Sequence, residues 1–125
     1  MQFKIDTRLS YTLITPVADL LNANLTATIK QKWVEIGQSG SQNLIIDLQN
    51  CLDADETALL AMQQMHEDFY INNHSLVFTG IKDNIVKKLK LNDNEVLINI
   101  APTLAEAIDI ISMEILERDL FNEES

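Results

Sequence analysis

Asp53, Asp55 and Glu56 crowd three carboxylates into four positions, and the hydroxyl of Thr57 follows directly. Acids at this spacing could chelate a hard cation, relay protons, or hold fixed charge at a binding surface. Neither the glycine nor the distal glutamate of an EF-hand loop accompanies them, so no bound metal is expected. His66 and His74 have no Cys or His at ligand spacing and are read as structural or exposed. Cys51 has acidic neighbours in Asp47 and Asp53, which disfavour a thiolate, and is read as a small core hydrophobe. Lys82, Lys87, Lys88 and Lys90 gather four cations and are read as a solvated face.

Nothing else in the 125 residues offers reactive chemistry. There is no Gly-rich phosphate loop, nucleophile elbow, zinc spacing, or local Ser, His and Asp signature. No catalytic residue and no cofactor is therefore expected, and the reading is a non-enzymatic binding module. The alternative is a small ligand-binding or metal-binding protein, or an enzyme, using Asp53, Asp55 and Glu56 at a strand end. A formal net charge of −10 repels phosphate backbones and anionic lipid surfaces, so neither nucleic acid nor membrane is expected as a partner. A lone cysteine and the lack of a signal-peptide pattern point to a cytoplasmic protein.

These side chains must be positioned by a framework, and the apolar periodicity supplies one. Met1 to Thr7 alternates apolar and polar, and Tyr11 to Val17 is β-branched and aromatic, which predicts two opening strands. Leu25, Ile29, Trp33 and Ile36 recur at helical spacing, with Asn22 or Asn24 as cap and Gly37 and Gly40 as breakers. Asn43 to Leu48 is a continuous apolar run suited to a buried strand. Ala58, Met62, Met65 and Phe69 then form a second helical stripe, beginning where acids favour a helix start near Asp53 to Glu56.

Ser75 to Thr79 predicts another buried strand, Asp83 to Leu91 a third helix, and Glu95 to Ile100 a last strand. Thr103 with Glu106 forms a capping box, and the final helix runs on Leu104, Ile108, Ile111 and Ile115 to about Arg118. The sum is an α/β domain over residues 1–120, a mixed four- to five-stranded sheet with about four helices, and an acidic tail over 121–125. Leu116, Leu120 and Phe121 run past the expected core stripe and leave apolar surface through which two copies could meet.

Leu44-Ile45-Ile46-Asp47-Leu48, followed eight residues after Asp47 by Asp55-Glu56-Thr57-Ala58-Leu59, resembles the core of the STAS family. Members of that family show an apolar strand ending in Asp-Leu, about six residues, and then Asp-Ser-Ser-Gly-Leu at the start of a helix. Val77-Phe78-Thr79-Gly80 and Ile98 to Thr103 with Glu106-Ala107 extend the resemblance over nearly the whole chain, which is similar to small bacterial single-domain members.

The resemblance implies an anti-sigma factor antagonist, binding a protein partner such as an anti-sigma factor that is also a serine kinase. By position, Asp55 matches the family Asp, Glu56 the phosphoacceptor Ser, Thr57 the second Ser and Ala58 the Gly. Binding is then expected over Asp55, Glu56, Thr57, Ala58, Leu59 and Met62. Glu56 cannot be phosphorylated as serine is, and its single charge mimics phosphate in part. Thr57 is the substitute acceptor, with its oxygen expected to bond to first-turn backbone.

Overall fold

The computed structural model describes residues 2–37, 42–92 and 99–124. Strands β1 (Gln2–Thr7) and β2 (Thr12–Val17) form an antiparallel hairpin in which Ile5 faces Ile14, closed by the Arg8 amide donating to the Tyr11 carbonyl at 2.8 Å. After the two-residue strand β3 (Leu20–Leu21) comes helix α1 (Ala23–Gly37). Asn22 caps it by accepting from the Leu25 amide at 2.8 Å. Strand β4 (Leu44–Asp47), the short β5 (Asp53–Ala54) and helix α2 (Glu56–Ile71) follow. The chain closes with β6 (Leu76–Thr79), α3 (Asp83–Asn92), β7 (Asn99–Ala101) and α4 (Leu104–Glu124).

Five strands make one sheet in the order β1-β2-β4-β6-β7, antiparallel at β1-β2 and parallel elsewhere. The expected α/β class and mixed sheet are therefore observed. Every residue of β4 and β6 is buried, as central parallel strands require when both faces are covered. The order never reverses along the chain, so crossovers of one hand place their helices on one face. The packing agrees: α1 and α2 share the larger core with Ile14, Ile46 and Phe78, and Ile85 and Leu89 of α3 join it. The opposite face is left to α4, whose Ala107 and Ile111 pack on Ile45, Val77 and Ala101.

Asn43 ties the strand starts together, donating to the Ser10 carbonyl at 3.1 Å and accepting from the Ser75 amide at 2.9 Å. Thr103 caps α4, accepting from the Glu106 amide at 3.2 Å. That helix continues through Glu124, past Arg118 and into the segment read above as a tail. Of the last expected strand, residues 95–98 lie outside the described residues, as do Gly40 and the Lys90 side chain.

Candidate functional site

The acid cluster sits where β4 gives way to α2, and its loop is held from three sides. Asp47 folds the chain back by accepting from the Gln49 amide at 3.1 Å and the Gln49 side-chain amide at 2.9 Å. Gly80, at φ +69°, passes so close that a Cβ would strike Asp47 Oδ1 and approach the Gln49 nitrogen to 2.9 Å. Lys82 reaches back to the Gln49 carbonyl at 3.0 Å. On the other side Leu52 donates to the Asp19 carbonyl at 2.7 Å, and β3 pairs in parallel with β5.

Asp53 does not stand beside Asp55 as a second free acid. Its Oδ1 accepts from Lys88 at 2.6 Å and Asn84 at 3.2 Å, and Lys88 also reaches the Ala54 carbonyl at 3.2 Å. The Lys88 hydrogen bond, then the Ala54 amide, hold the Asp53 carboxyl below its ordinary range. Both partners are nearly half exposed, so the pair orients the loop more than it stabilises the fold. Half of the lysine face inferred above is thus spent on this loop: Lys82 and Lys88 grip it.

Asp55 is the N-cap of α2. Its own amide donates to the Leu21 carbonyl at 3.0 Å, and its Oδ1 accepts from the Ala58 amide at 2.8 Å and the Thr57 hydroxyl at 2.7 Å. The Thr57 hydroxyl first, and the Ala58 amide next, lower the Asp55 carboxyl. The Thr57 oxygen was expected to bond to backbone; instead its proton goes to the capping carboxylate, because the cap lies within one turn. Glu56 is exposed beside it, and its charge meets the positive end of the helix.

Of the residues expected to touch a partner, Ala58, Leu59 and Met62 are buried in the core and shape the helix from beneath. Asp55, Glu56 and Thr57 remain at the surface. They are joined there by three leucines that sequence reasoning missed: Leu20, Leu52 and Leu60, exposed by 45%, 58% and 58%. Leu60 lies one turn beyond Glu56, while Leu20 belongs to β3 and Leu52 immediately precedes β5, in the strand pair that leads into the cap. The result is an anionic helix start rimmed by aliphatic side chains, an arrangement suited to contact with another protein.

It is less suited to holding a small ligand. In open α/β sheets the ligand crevice forms where the strand order reverses, and this order does not. Among the described residues no three His, Cys, Asp or Glu side chains are grouped to hold a metal ion. Cys51 is buried, which pushes its thiol above the ordinary value.

The model of the STAS domain matches residues 5–107, and the chain belongs to that family. No curated protein matches it. Solved structures do: a candidate anti-sigma factor antagonist from Thermotoga maritima is similar at a TM-score of 0.73 and 14% identity, covering 88% of this chain and 94% of that one. Moorella thermoacetica RsbS carrying a serine-to-glutamate substitution is similar at a TM-score of 0.72 and 17% identity, covering 94% and 99%. The murine Solute Carrier 26 family member A9 anion transporter is similar at a TM-score of 0.66 and 12% identity, covering 85% of this chain but 18% of the transporter. The fold is therefore that of anti-sigma factor antagonist structures, and it also occurs as one part of a membrane protein. Among the described residues no helix is long and apolar enough to cross a membrane.

Proposed function

We propose that this protein is a regulatory protein-binding module of the anti-sigma factor antagonist type, without chemistry of its own, acting in the cytoplasm. Its docking surface is the start of α2: Asp55, Glu56 and Thr57 with the leucine rim of Leu20, Leu52 and Leu60. The observation that carries this reading is the exposure of Leu52 and Leu60 around a capped, anionic helix start, since apolar groups of that size beside fixed charge are what a partner covers. The partner is taken to be an anti-sigma factor, in keeping with family membership and with the Thermotoga structure; its serine kinase character is what the sequence resemblance implies.

Phosphorylation does not switch this surface. Glu56 cannot carry a stable phosphoester, and the Thr57 hydroxyl is committed to Asp55. A phosphate on Thr57 would remove that bond and set a charge of about −1.5 to −2 against a carboxylate. The test is calorimetric titration with the candidate kinase from the same organism. Leu52→Ser and Leu60→Ser should each weaken binding by about tenfold or more, with folding unchanged. Intact mass after incubation with that kinase and ATP should stay that of the unmodified chain. Unaltered affinity in both leucine variants would remove the docking surface from α2, and near-complete phosphorylation of Thr57 would restore an ordinary switch.

A further inference from the structure

We infer that the cleft between the C-terminal ends of α2 and α4 is a second protein-docking site, and that it takes a basic amphipathic segment of another protein. The cleft, about 670 Å³, is walled by Tyr70, Ile71 and Phe121 and floored by His74, Glu114 and Arg118. The three wall residues are exposed by 77%, 67% and 75%, so large apolar groups stand around a concavity with little cover from the rest of the chain. Exposed Met113, Leu116 and Leu120 continue the apolar surface along α4, at i, i+3 and i+7 on one helix face. Aromatic and aliphatic anchors lining a groove are the setting in which interface energy concentrates.

The charge around the cleft says what covers it. Two helices end here, and the carbonyl ends of both carry partial negative charge with no basic residue in either last turn to offset it. Glu117 adds a carboxylate at the wall. Arg118 is engaged inward, donating to Ser75 Oγ at 3.0 Å and Asn43 Oδ1 at 3.4 Å. Glu114 likewise faces inward, accepting from Ser75 at 2.6 Å and Asn99 at 3.1 Å. With Arg118 and Glu114 both turned inward, Glu117 and the two helix ends are the charges left to face outward, which favours a segment flanking its aliphatic anchor with Lys or Arg.

A second copy of this chain fits poorly. A two-fold contact through α4 would bring the acids of that helix, Glu106, Asp109, Glu117 and Asp119, towards those of the partner copy, on a molecule whose net charge is −10. Helix α2 spans 16 residues, so this cleft lies about 24 Å from the Asp55 cap. Both ends of α2 can therefore be occupied at once, and the module can join two partners.

The probe is a short synthetic helix with leucines on one face and lysines on the other, labelled for fluorescence polarisation and titrated against the full chain at physiological ionic strength. It should bind at least about tenfold more tightly than its leucine-glutamate counterpart, and amide shifts should concentrate at Tyr70, His74, Glu117 and Phe121. Phe121→Ala, which leaves the charge untouched, should cost about tenfold in affinity, whereas Leu60→Ser should cost none. Circular dichroism of both variants should match that of the parent chain. Equal binding of the acidic helix, insensitivity to Phe121→Ala, or shifts confined to the start of α2 would overturn the site. So would sedimentation showing a dimer that Phe121→Ala dissociates, since the face would then be a self-interface.

Discussion

At the scale of single residues, the site depends on groups that never face a partner. Gly80 occupies the left-handed region at φ +69°, where a side chain costs about 1–2 kcal/mol, and it also abuts Asp47 and the Gln49 backbone. Gly80→Ala should therefore destabilise by more than the dihedral cost alone, because the loop that Asp47 folds must shift. The urea midpoint should fall with an unchanged m-value. The same variant should weaken partner binding at the start of α2, which Lys82 and Gln49 help to place. Asp55 gives a second test: Asp55→Asn keeps an oxygen for the Ala58 amide and should hold the thermal midpoint close to that of the parent, whereas Asp55→Ala should lower it. Equal losses in both would mean that the charge, not the cap, holds the helix start.

At the scale of elements, α2 turns one face to the core and another to solvent, the latter being the recognition face under the proposed function, and two neighbouring positions separate them. Met62 is 1% exposed, so Met62→Ala should cost about 2–5 kcal/mol in denaturant unfolding. Leu60 points outward, so Leu60→Ala should change stability by less than about 0.5 kcal/mol while weakening the partner complex. The stripe of Ala58, Met62, Met65 and Phe69 was legible in the sequence because a helix imposes its period on whatever it buries. So were β4 and β6, because central parallel strands read as unbroken apolar runs, and the start of α2 near Asp53 to Glu56, because acids gather at the positive end of a helix; that Asp55 is the residue that caps it was not. β3 and β5 were not legible: two residues have no period, and Asp53-Ala54 reads as part of an acid cluster. The grip of Lys88 on Asp53 escaped for a different reason. It joins positions 35 apart, and no local pattern distinguishes a lysine that reaches a loop from one that faces water. The leucine rim was hidden likewise, since exposure is a property of the packed molecule.

At the scale of the whole molecule, two opposed effects govern stability against pH, and their signs can be worked out. Burial lowers the pKa of His66 against a smaller opposing pull from Glu114, and burial followed by Arg118 lowers that of His74. Between those depressed values and the ordinary value of 6.5, the unfolded chain binds more protons than the folded one, so stability is full above about pH 6.5 and falls as pH drops. Asp53 and Asp55, also lowered, lose their contribution only below about pH 4. Acting the other way, a net charge of −10 repels itself at neutral pH and is relieved on acidification. The histidines are partly shielded from solvent while the excess charge is spread over a screened surface, so the histidine effect should win at physiological salt. The urea midpoint should then decline from about pH 7 to about pH 5, and His66→Gln with His74→Gln should flatten the decline. Trp33, the one tryptophan, gives an internal reporter: its ring lies 6.3 Å from His74 and 4.5 Å from Phe69. Because an imidazolium quenches a nearby indole, Trp33 emission should drop with a midpoint below 6.5, and His74→Gln should abolish the drop. A urea midpoint that rose steadily over the same range would show that self-repulsion outweighs both half-buried imidazoles.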